Sequence, residues 1–160
     1  MNKKEISDLL KATDLGEENQ ETGNNWQKEH ALIIETFLND LSDNLIVETL
    51  YGLKDLQVRD YAMGLLNKDN KTHKKALEKL IQYSPAKYSK PAKTLLALWY
   101  FENKNLEQAE HLLAQVKNYS LANLLTRTFA AGWPVETFEK MRVELHPKVK
   151  ENIFEKVEVA

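Results

Sequence analysis

An all-α fold is predicted by three features of the sequence. The 160 residues include only five glycines and four prolines, so helix breakers are rare beside the many Leu, Ala, Lys and Glu residues that favour helices. Apolar residues recur three or four positions apart over most of the chain, which is the period of an amphipathic helix. No segment shows the alternation of a half-buried strand. We therefore expect antiparallel helical hairpins, stacked as a small tetratricopeptide-like bundle.

The first 25 residues divide into a helix and a linker. Residues 1–13 predict a short amphipathic helix, whose apolar residues follow helical spacing: Ile6, Leu9, Leu10 and Ala12. Residues 14–25 are polar and acidic and contain two of the five glycines, a composition typical of a flexible linker. The apolar periodicity resumes at Trp26, so we expect a single helical domain over residues 26–160.

Four helices are predicted between Trp26 and Pro85. The first carries one apolar stripe: Trp26, His30, Ile33, Ile34, Phe37, Leu38 and Leu41. Ser42 and Asp55 are expected to cap the next two helices, because their side-chain oxygens accept hydrogen bonds from free backbone N–H groups. Asp69 or Thr72 is expected to start a fourth, basic helix. That helix should end before Pro85, since the residue preceding a proline disfavours the helical conformation.

The second half of the chain predicts further helices. Residues 91–103 give the most apolar one, and Asn105 is expected to cap the next. The helix over 120–131 should close at Gly132, after which Pro134 stands where a first helical residue is expected. Pro147 is expected to end that helix and to start a short last one. The predicted main core includes four large residues: Leu96, Trp99, Leu113 and Leu124.

Residues 92–116 resemble one tetratricopeptide unit. If Ala109 is the small residue of the second helix, the other key positions hold suitable residues: Leu96, Ala97, Tyr100 and Leu113. A shift by one repeat length of about 34 residues does not reproduce the pattern. The sequence thus predicts one repeat-like hairpin, with an ordinary helical hairpin as the alternative interpretation.

Two stretches of the chain resemble a known family. One is Leu53-Lys54-Asp55-Leu56-Gln57-Val58-Arg59-Asp60, and the other runs from Leu95 to Pro134. Together they are similar to the helical C-terminal half of an uncharacterised, mostly actinobacterial domain-of-unknown-function family, over residues 45–145. Members of that family carry a longer N-terminal part than this chain. The resemblance implies a helical fold and no particular reaction.

Residues with catalytic or metal-binding chemistry are few and scattered. The chain has no cysteine, which excludes disulfides and thiolate metal sites. No two of the four histidines have metal-ligand spacing: His30, His73, His111 and His146. His30 is expected at the edge of the core, and Arg59 or Asp60 is expected to hold a neighbouring helix end. Glycine-rich phosphate loops and nucleophile elbows are absent, so we predict no catalytic residue, no metal and no cofactor.

Lysines cluster in residues 68–93. The eight lysines form a candidate surface for an anionic partner: Lys68, Lys71, Lys74, Lys75, Lys79, Lys87, Lys90 and Lys93. Because only Asp69 and Glu78 oppose them in this range, the local charge is eight minus two, or +6, in a chain of net charge −2. A solvated lysine-rich face is the alternative interpretation. Arginine, the usual reader of phosphates and bases, is scarce near these lysines.

The leading functional hypothesis is a non-catalytic helical module that binds a segment of another protein in a helical-hairpin groove. The alternative is a nucleic-acid or nucleoprotein binder that uses the lysine-rich surface of residues 68–93. No apolar run is long enough to span a membrane, and residues 1–13 lack the apolar core of a signal peptide. We therefore expect a cytoplasmic protein that has no membrane partner.

Overall fold

The computed structural model describes residues 2–15 and 24–155, and within these ranges every regular element is helical. The helices are α1 (Lys3–Leu15), α2 (Asn24–Asp40), α3 (Ile46–Gly52), α4 (Leu56–Leu65), α5 (Lys71–Tyr83), α6 (Lys90–Glu102), α7 (Leu106–Ala114), α8 (Ser120–Ala130) and α9 (Val135–Phe154). Short 3-10 turns occupy Asp43–Leu45 and Ala86–Tyr88. The prediction of an all-α fold is confirmed, whereas the likeness to a tetratricopeptide unit stays a prediction.

The N-terminal helix is longer than expected and belongs to the core. Helix α1 extends to Leu15 and α2 begins at Asn24, so both ends of the predicted linker are helical. The remainder, residues 16–23, lies outside the described residues. Ile6 and Leu10 are fully buried in the main apolar cluster, where α1 packs against α3 and α5. The described part of residues 1–13 is therefore an integral layer of the bundle.

Side-chain caps set several helix starts. The Asp55 carboxylate accepts hydrogen bonds from the backbone N–H groups of Gln57 and Val58 at 2.9 and 3.0 Å. Asn105 likewise caps α7 through the N–H of Gln108, at 3.2 Å. Both caps were predicted from the sequence. Local polar residues thus contribute to setting these two helix starts.

Two other caps differ from the expectation. Asn70, and neither Asp69 nor Thr72, caps α5 by accepting from the backbone N–H of Thr72 at 2.9 Å. The Ser42 hydroxyl makes no capping hydrogen bond, and a 3-10 turn follows Ser42 in place of an α-helix. Asp69, Asn70 and Thr72 are all residue types that can cap a helix, and composition alone does not show which of them caps α5.

The prediction that Pro147 ends a helix is wrong. Helix α9 runs without interruption through Pro147 for 20 residues. Proline removes one backbone hydrogen bond from the helix interior, but burial on both sides of it holds the helix in place. Phe138 and Arg142 are buried before the proline and Ile153 after it.

Gly132 follows the C-terminal end of α8, as expected, and has a left-handed φ of 72°.

Three of the four predicted core residues are buried. Leu96, Leu113 and Trp99 expose 8 % of their surface or less, whereas Leu124 is 47 % exposed. Helix α8 buries a different stripe: Leu121, Ala122, Leu125, Thr128 and Phe129. Leu124 lies on the flank of that stripe, where the described residues leave it uncovered. Its assignment to the core was therefore wrong.

A buried ion pair connects three helices. The Arg142 guanidinium of α9 donates two hydrogen bonds to the Glu102 carboxylate of α6, with Nε to Oε2 at 2.6 Å. Its third donor, Nη1, reaches the backbone carbonyl of Met63 in α4 at 2.8 Å. Each charged side chain is only 1 % exposed. Burial raises the pKa of Glu102, and the Arg142 guanidinium opposes that rise.

Truncating the buried leucines tests the core. Leu96→Ala and Leu113→Ala should each lower the free energy of unfolding by roughly 2–5 kcal/mol, because each leaves a cavity. Leu124→Ala is the matched control and should cost under about 1 kcal/mol, as exposed substitutions do. Urea unfolding followed by circular dichroism measures all three. An equal loss at position 124 would contradict the burial described above.

Breaking the ion pair tests its role in holding α9. Arg142→Met should lower the free energy of unfolding by roughly 3–5 kcal/mol, because it leaves the Glu102 charge buried without a partner. The double variant Arg142→Met/Glu102→Leu should recover much of that loss, since no charge is then buried. Urea unfolding of both variants is the measurement. A double variant that is less stable than the single one would contradict the unpaired Glu102 charge as the cause of the loss.

Candidate protein-interaction groove

An open apolar groove lies between α7 and α8. Its volume is about 290 Å³, and its lining residues come from the two helices: Glu110, Leu113 and Ala114 from α7, and Thr126, Phe129 and Ala130 from α8. This volume is close to the lower end of the range for small-molecule sites. It is suited to receive a large apolar side chain from a partner.

The groove exists because small residues meet where α7 and α8 face each other. Leu113 and Phe129 form its floor and are 7 % and 9 % exposed. The Phe129 ring stacks on Phe101 of α6, with ring centroids 4.0 Å apart, so the floor is anchored to the main core. Ala114 and Ala130 form the walls, and their short side chains leave the space between the helices unfilled.

Polar atoms in the groove have limited roles. The Thr126 hydroxyl donates to the backbone carbonyl of Ala122 at 2.8 Å, so its hydrogen-bonding capacity is partly used inside α8. Glu110 on the opposite side is exposed. Glu107, one turn earlier on α7, is exposed as well, and neither carboxylate has an ion-pair partner among the described residues. One edge of the groove is therefore acidic.

Two exposed apolar residues extend the surface beyond the groove. Leu106 is 42 % exposed and lies on α7 one turn before Glu110. Trp133 is 43 % exposed and follows the C-terminal end of α8. Tryptophan is among the residues that contribute most to protein interfaces when a partner covers them. The apolar surface that a partner could contact is thus larger than the groove itself.

The eight lysines of residues 68–93 are not held as one surface. Lys71 and Lys74 lie in the first half of α5, while Lys87 and Lys90 follow the other end of that helix. A helix of 13 residues separates its ends by about 18 Å. Asp69 and Glu78 are exposed beside the first group and reduce its positive charge. The local charge of +6 that the sequence gives is therefore dispersed.

Several of these lysines have structural contacts. Lys68 pairs with Glu139 at 3.4 Å. Lys79 pairs with Asp43 and also donates to the backbone carbonyl of Leu41, at 2.6 Å, at the C-terminal end of α2. Capping of that kind satisfies a carbonyl that the helix leaves free. These two lysines serve the fold.

The remaining lysines differ in exposure. Lys90 donates to the carbonyl of Lys117 at 3.2 Å, Lys87 lies over the Tyr88 ring, and Lys93 is half-buried. Lys74 lies over the rings of Trp99 and Tyr100, with Nζ 5.8 and 5.5 Å from their centroids. Lys71 and Lys75 are exposed on the same helix. Lys71, Lys74 and Lys75 are therefore the group of predicted site residues that α5 brings together.

The histidines have separate environments. His30 is 4 % exposed, stacks on Trp26 and contacts the Glu48 carboxylate through Nε2 at 2.9 Å, so its predicted place at the core edge is confirmed. His73 accepts a hydrogen bond from the backbone N–H of Asn67 at 3.2 Å. Burial, together with the nearby Arg142 charge, lowers the pKa of His73. Over the described ranges no three His, Asp or Glu residues are grouped for a metal ion.

Arg59 joins α4 to the start of α8. Its guanidinium pairs with Asp60 at 2.9 Å and donates to the Tyr119 hydroxyl at 3.3 Å. Tyr119 immediately precedes α8. The expectation that this charged pair holds a neighbouring helix end is confirmed, and its contacts are those of a structural pair.

Comparison with known proteins found no relative of this chain. No family model, curated protein or solved structure matches this chain. The resemblance of residues 45–145 to an actinobacterial family thus stays a prediction. In the part of the chain that the structure describes, no helix combines the length and apolar character required to cross a bilayer.

Sequence reasoning missed the α7–α8 groove. It identified the neighbouring hairpin and placed Leu113 in the core, but it gave no role to Ala114, Ala130 or Thr126. The available signal was the pairing of small residues with a neighbouring large one on both helices: Leu113-Ala114 and Phe129-Ala130. Only the packing of α8 beside α7 shows that the two small residues face the same space.

Proposed function

We propose that the protein is a non-catalytic helical interaction module, an adaptor or regulatory protein that binds a segment of a partner protein in the α7–α8 groove. The groove's open apolar floor is the observation that carries the proposal. Leu113 and Phe129 offer apolar surface at a concave site that the described residues leave unfilled. Burying a large apolar side chain there is favourable by about 25 cal/mol per Å² removed from water.

The partner's chemistry follows from the groove and its edge. A large apolar side chain suits the space between Ala114 and Ala130. Basic residues beside it suit the exposed carboxylates of Glu107 and Glu110. An amphipathic helix that carries apolar anchors on one face and basic residues next to them presents both features. The absence of cysteine suits a reducing compartment, and the proposal places the protein in the cytoplasm.

A second proposal is contact with nucleic acid through Lys71, Lys74 and Lys75. The three ammonium groups have no carboxylate partner among the described residues, and Tyr100 lies beside one of them. Asp69 and Glu78 oppose them, and arginine, the usual reader of phosphates, is scarce near these lysines. Any such contact should be weak and independent of base sequence. The groove therefore ranks first.

Filling the groove tests the first proposal. Ala130→Phe should weaken binding of an amphipathic lysine-bearing peptide at least tenfold, about 1.4 kcal/mol, because the new ring occupies the partner's space. Ala131→Phe is the matched control, since Ala131 is exposed next to Ala130 but does not line the groove. The probes are labelled synthetic peptides of about fifteen residues with leucines at helical spacing. Fluorescence polarisation measures the affinities.

A second peptide tests the acidic edge separately from the apolar groove. The same leucine pattern with glutamate in place of lysine should bind less tightly, because Glu107 and Glu110 repel it. Equal affinity for both peptides would remove the acidic edge from the proposal and leave the groove. If neither peptide binds, the groove is not the interaction site. The same conclusion follows if Ala130→Phe binds the peptides as tightly as the unmodified protein and the Ala131→Phe control do.

Charge reversal tests the second proposal. Replacing Lys71, Lys74 and Lys75 by Glu should abolish binding to duplex DNA at low salt, and log K for the unmodified protein should fall by about 0.9 per neutralised phosphate against log salt. Reversing Lys140, Lys148 and Lys150 on α9 changes the net charge equally and is the control. Affinity is measured by fluorescence anisotropy. Sub-micromolar binding at physiological salt would make nucleic acid the leading partner.

A further inference from the structure

The two halves of α9 pack against different apolar clusters. Phe138, in the first half, belongs to the main core. In the second half, Ile153 is fully buried in a small separate cluster with Ala31 of α2 and Tyr61 of α4. Val149, Phe154 and Leu65 pack around that cluster. The last two turns of α9 therefore have an apolar contact surface of their own.

Pro147 marks the junction between these halves. Having no backbone N–H, it cannot donate to the carbonyl of Val143 four residues earlier. The helical hydrogen-bond ladder is thus weakest at the point where α9 passes from the main core to the small cluster. A helix that bends or opens does so preferentially at such a position. Residues 147–154, the C-terminal segment of α9, are consequently held more by their packing than by helix continuity.

His146 occupies the junction and packs tightly there. Its ring lies 4.9 Å from the Tyr61 ring, centroid to centroid. It also covers Gly64 of α4, where an added Cβ would lie only 2.1 Å from Nδ1. That nitrogen is buried and has no hydrogen-bond partner among the described residues. The neutral form of the His146 ring fits at this position, because its Nδ1 can then lack a hydrogen and needs no acceptor.

Charged groups around His146 come from two helices, and Tyr61 of α4 adds a titratable hydroxyl. Arg142 and Lys150 lie one turn before and one turn after it on α9, and Glu35 approaches from α2. The Tyr61 hydroxyl donates to the Glu35 carboxylate at 2.7 Å, so that acid is already engaged. Burial, followed by the Lys150 charge, lowers the pKa of His146, and Glu35 acts in the opposite direction less strongly.

We propose that His146 is a pH-sensitive latch, and that its protonation releases the C-terminal segment of α9 from α2 and α4. The added proton would place an N–H and a positive charge against Gly64, where no acceptor is available. The ring then leaves the contact with Tyr61 to reach water. Because Pro147 weakens the helix at the next residue, the segment can separate while the Arg142–Glu102 pair keeps the first half of α9 in place.

The direction of the pH dependence follows from the lowered pKa of His146. A histidine that binds its proton less readily when packed favours the packed state at neutral pH. That preference is lost as the pH falls below about 6.5, the ordinary histidine pKa, because the released ring takes up the proton more readily. Acidification therefore exposes the apolar surface that Ala31 and Tyr61 share with Ile153.

Hydrogen exchange of the full chain tests the latch. At about pH 7.5 the amides of residues 148–154 should be protected, and at about pH 5, after correction for intrinsic exchange, they should exchange about tenfold faster. Helix α6 should keep its protection at both values. His146→Gln stays neutral and should remove the pH dependence, whereas His111→Gln, at an exposed histidine of α7, should leave it unchanged.

A second measurement keeps the proposal decidable if glutamine itself loosens the segment. In the unmodified protein, the Ile153 methyl and Phe154 ring resonances should shift with the same midpoint as the His146 ring. The proposal is overturned if these resonances stay constant while His146 titrates. It is also overturned if segment protection is equal at both pH values, or if His146→Gln shows the same pH-dependent release as the unmodified protein.

Discussion

The buried Arg142–Glu102 pair is the constraint on which the helical arrangement depends. Apolar burial holds helices together, but it is not directional, so it restricts the sliding of one helix along another less than hydrogen bonds do. The guanidinium has no such freedom, since its donors must meet the Glu102 carboxylate and the Met63 carbonyl at once. A shift of α9 along its neighbours would leave two buried charges unpaired. The pair therefore fixes where α9 lies relative to α4 and α6.

The groove is a consequence of how the remaining helices share the surface of α6. Helix α7 forms a hairpin with α6, and α8 packs against both. The Phe129–Phe101 stack holds α8 close to α6, but Ala114 and Ala130 are too short to close the space between α7 and α8. Larger residues there would bury more apolar surface in the isolated chain. The short side chains of Ala114 and Ala130 thus leave this space open.

Features that depend on neighbouring residues could be predicted from the sequence. Asp55 and Asn105 cap their helices as expected, because the N–H groups they bind lie within three residues. Pro85 follows the end of the basic helix for an equally local reason, since it restricts the residue before it. The helical period likewise placed Leu96 and Leu113 in the core.

Features that depend on which flank a neighbour covers could not be predicted. Leu124 follows the apolar period of α8, yet no described residue covers that flank. Pro147 looks like a helix end, but the burial of Arg142 and Ile153 on either side keeps α9 continuous. The lysines form one cluster in the sequence and are divided between the two ends of α5 in space. The α7–α8 groove belongs to the same class.

Gly64 has a consequence for how this chain can vary over evolution. The His146 ring occupies the space that a side chain at position 64 would need, so the two positions share one volume. A chain with alanine or a larger residue at 64 should carry a smaller residue than histidine at 146, while one that keeps the histidine should keep the glycine. Any set of related sequences should therefore show these two positions, 82 residues apart in the chain, changing together.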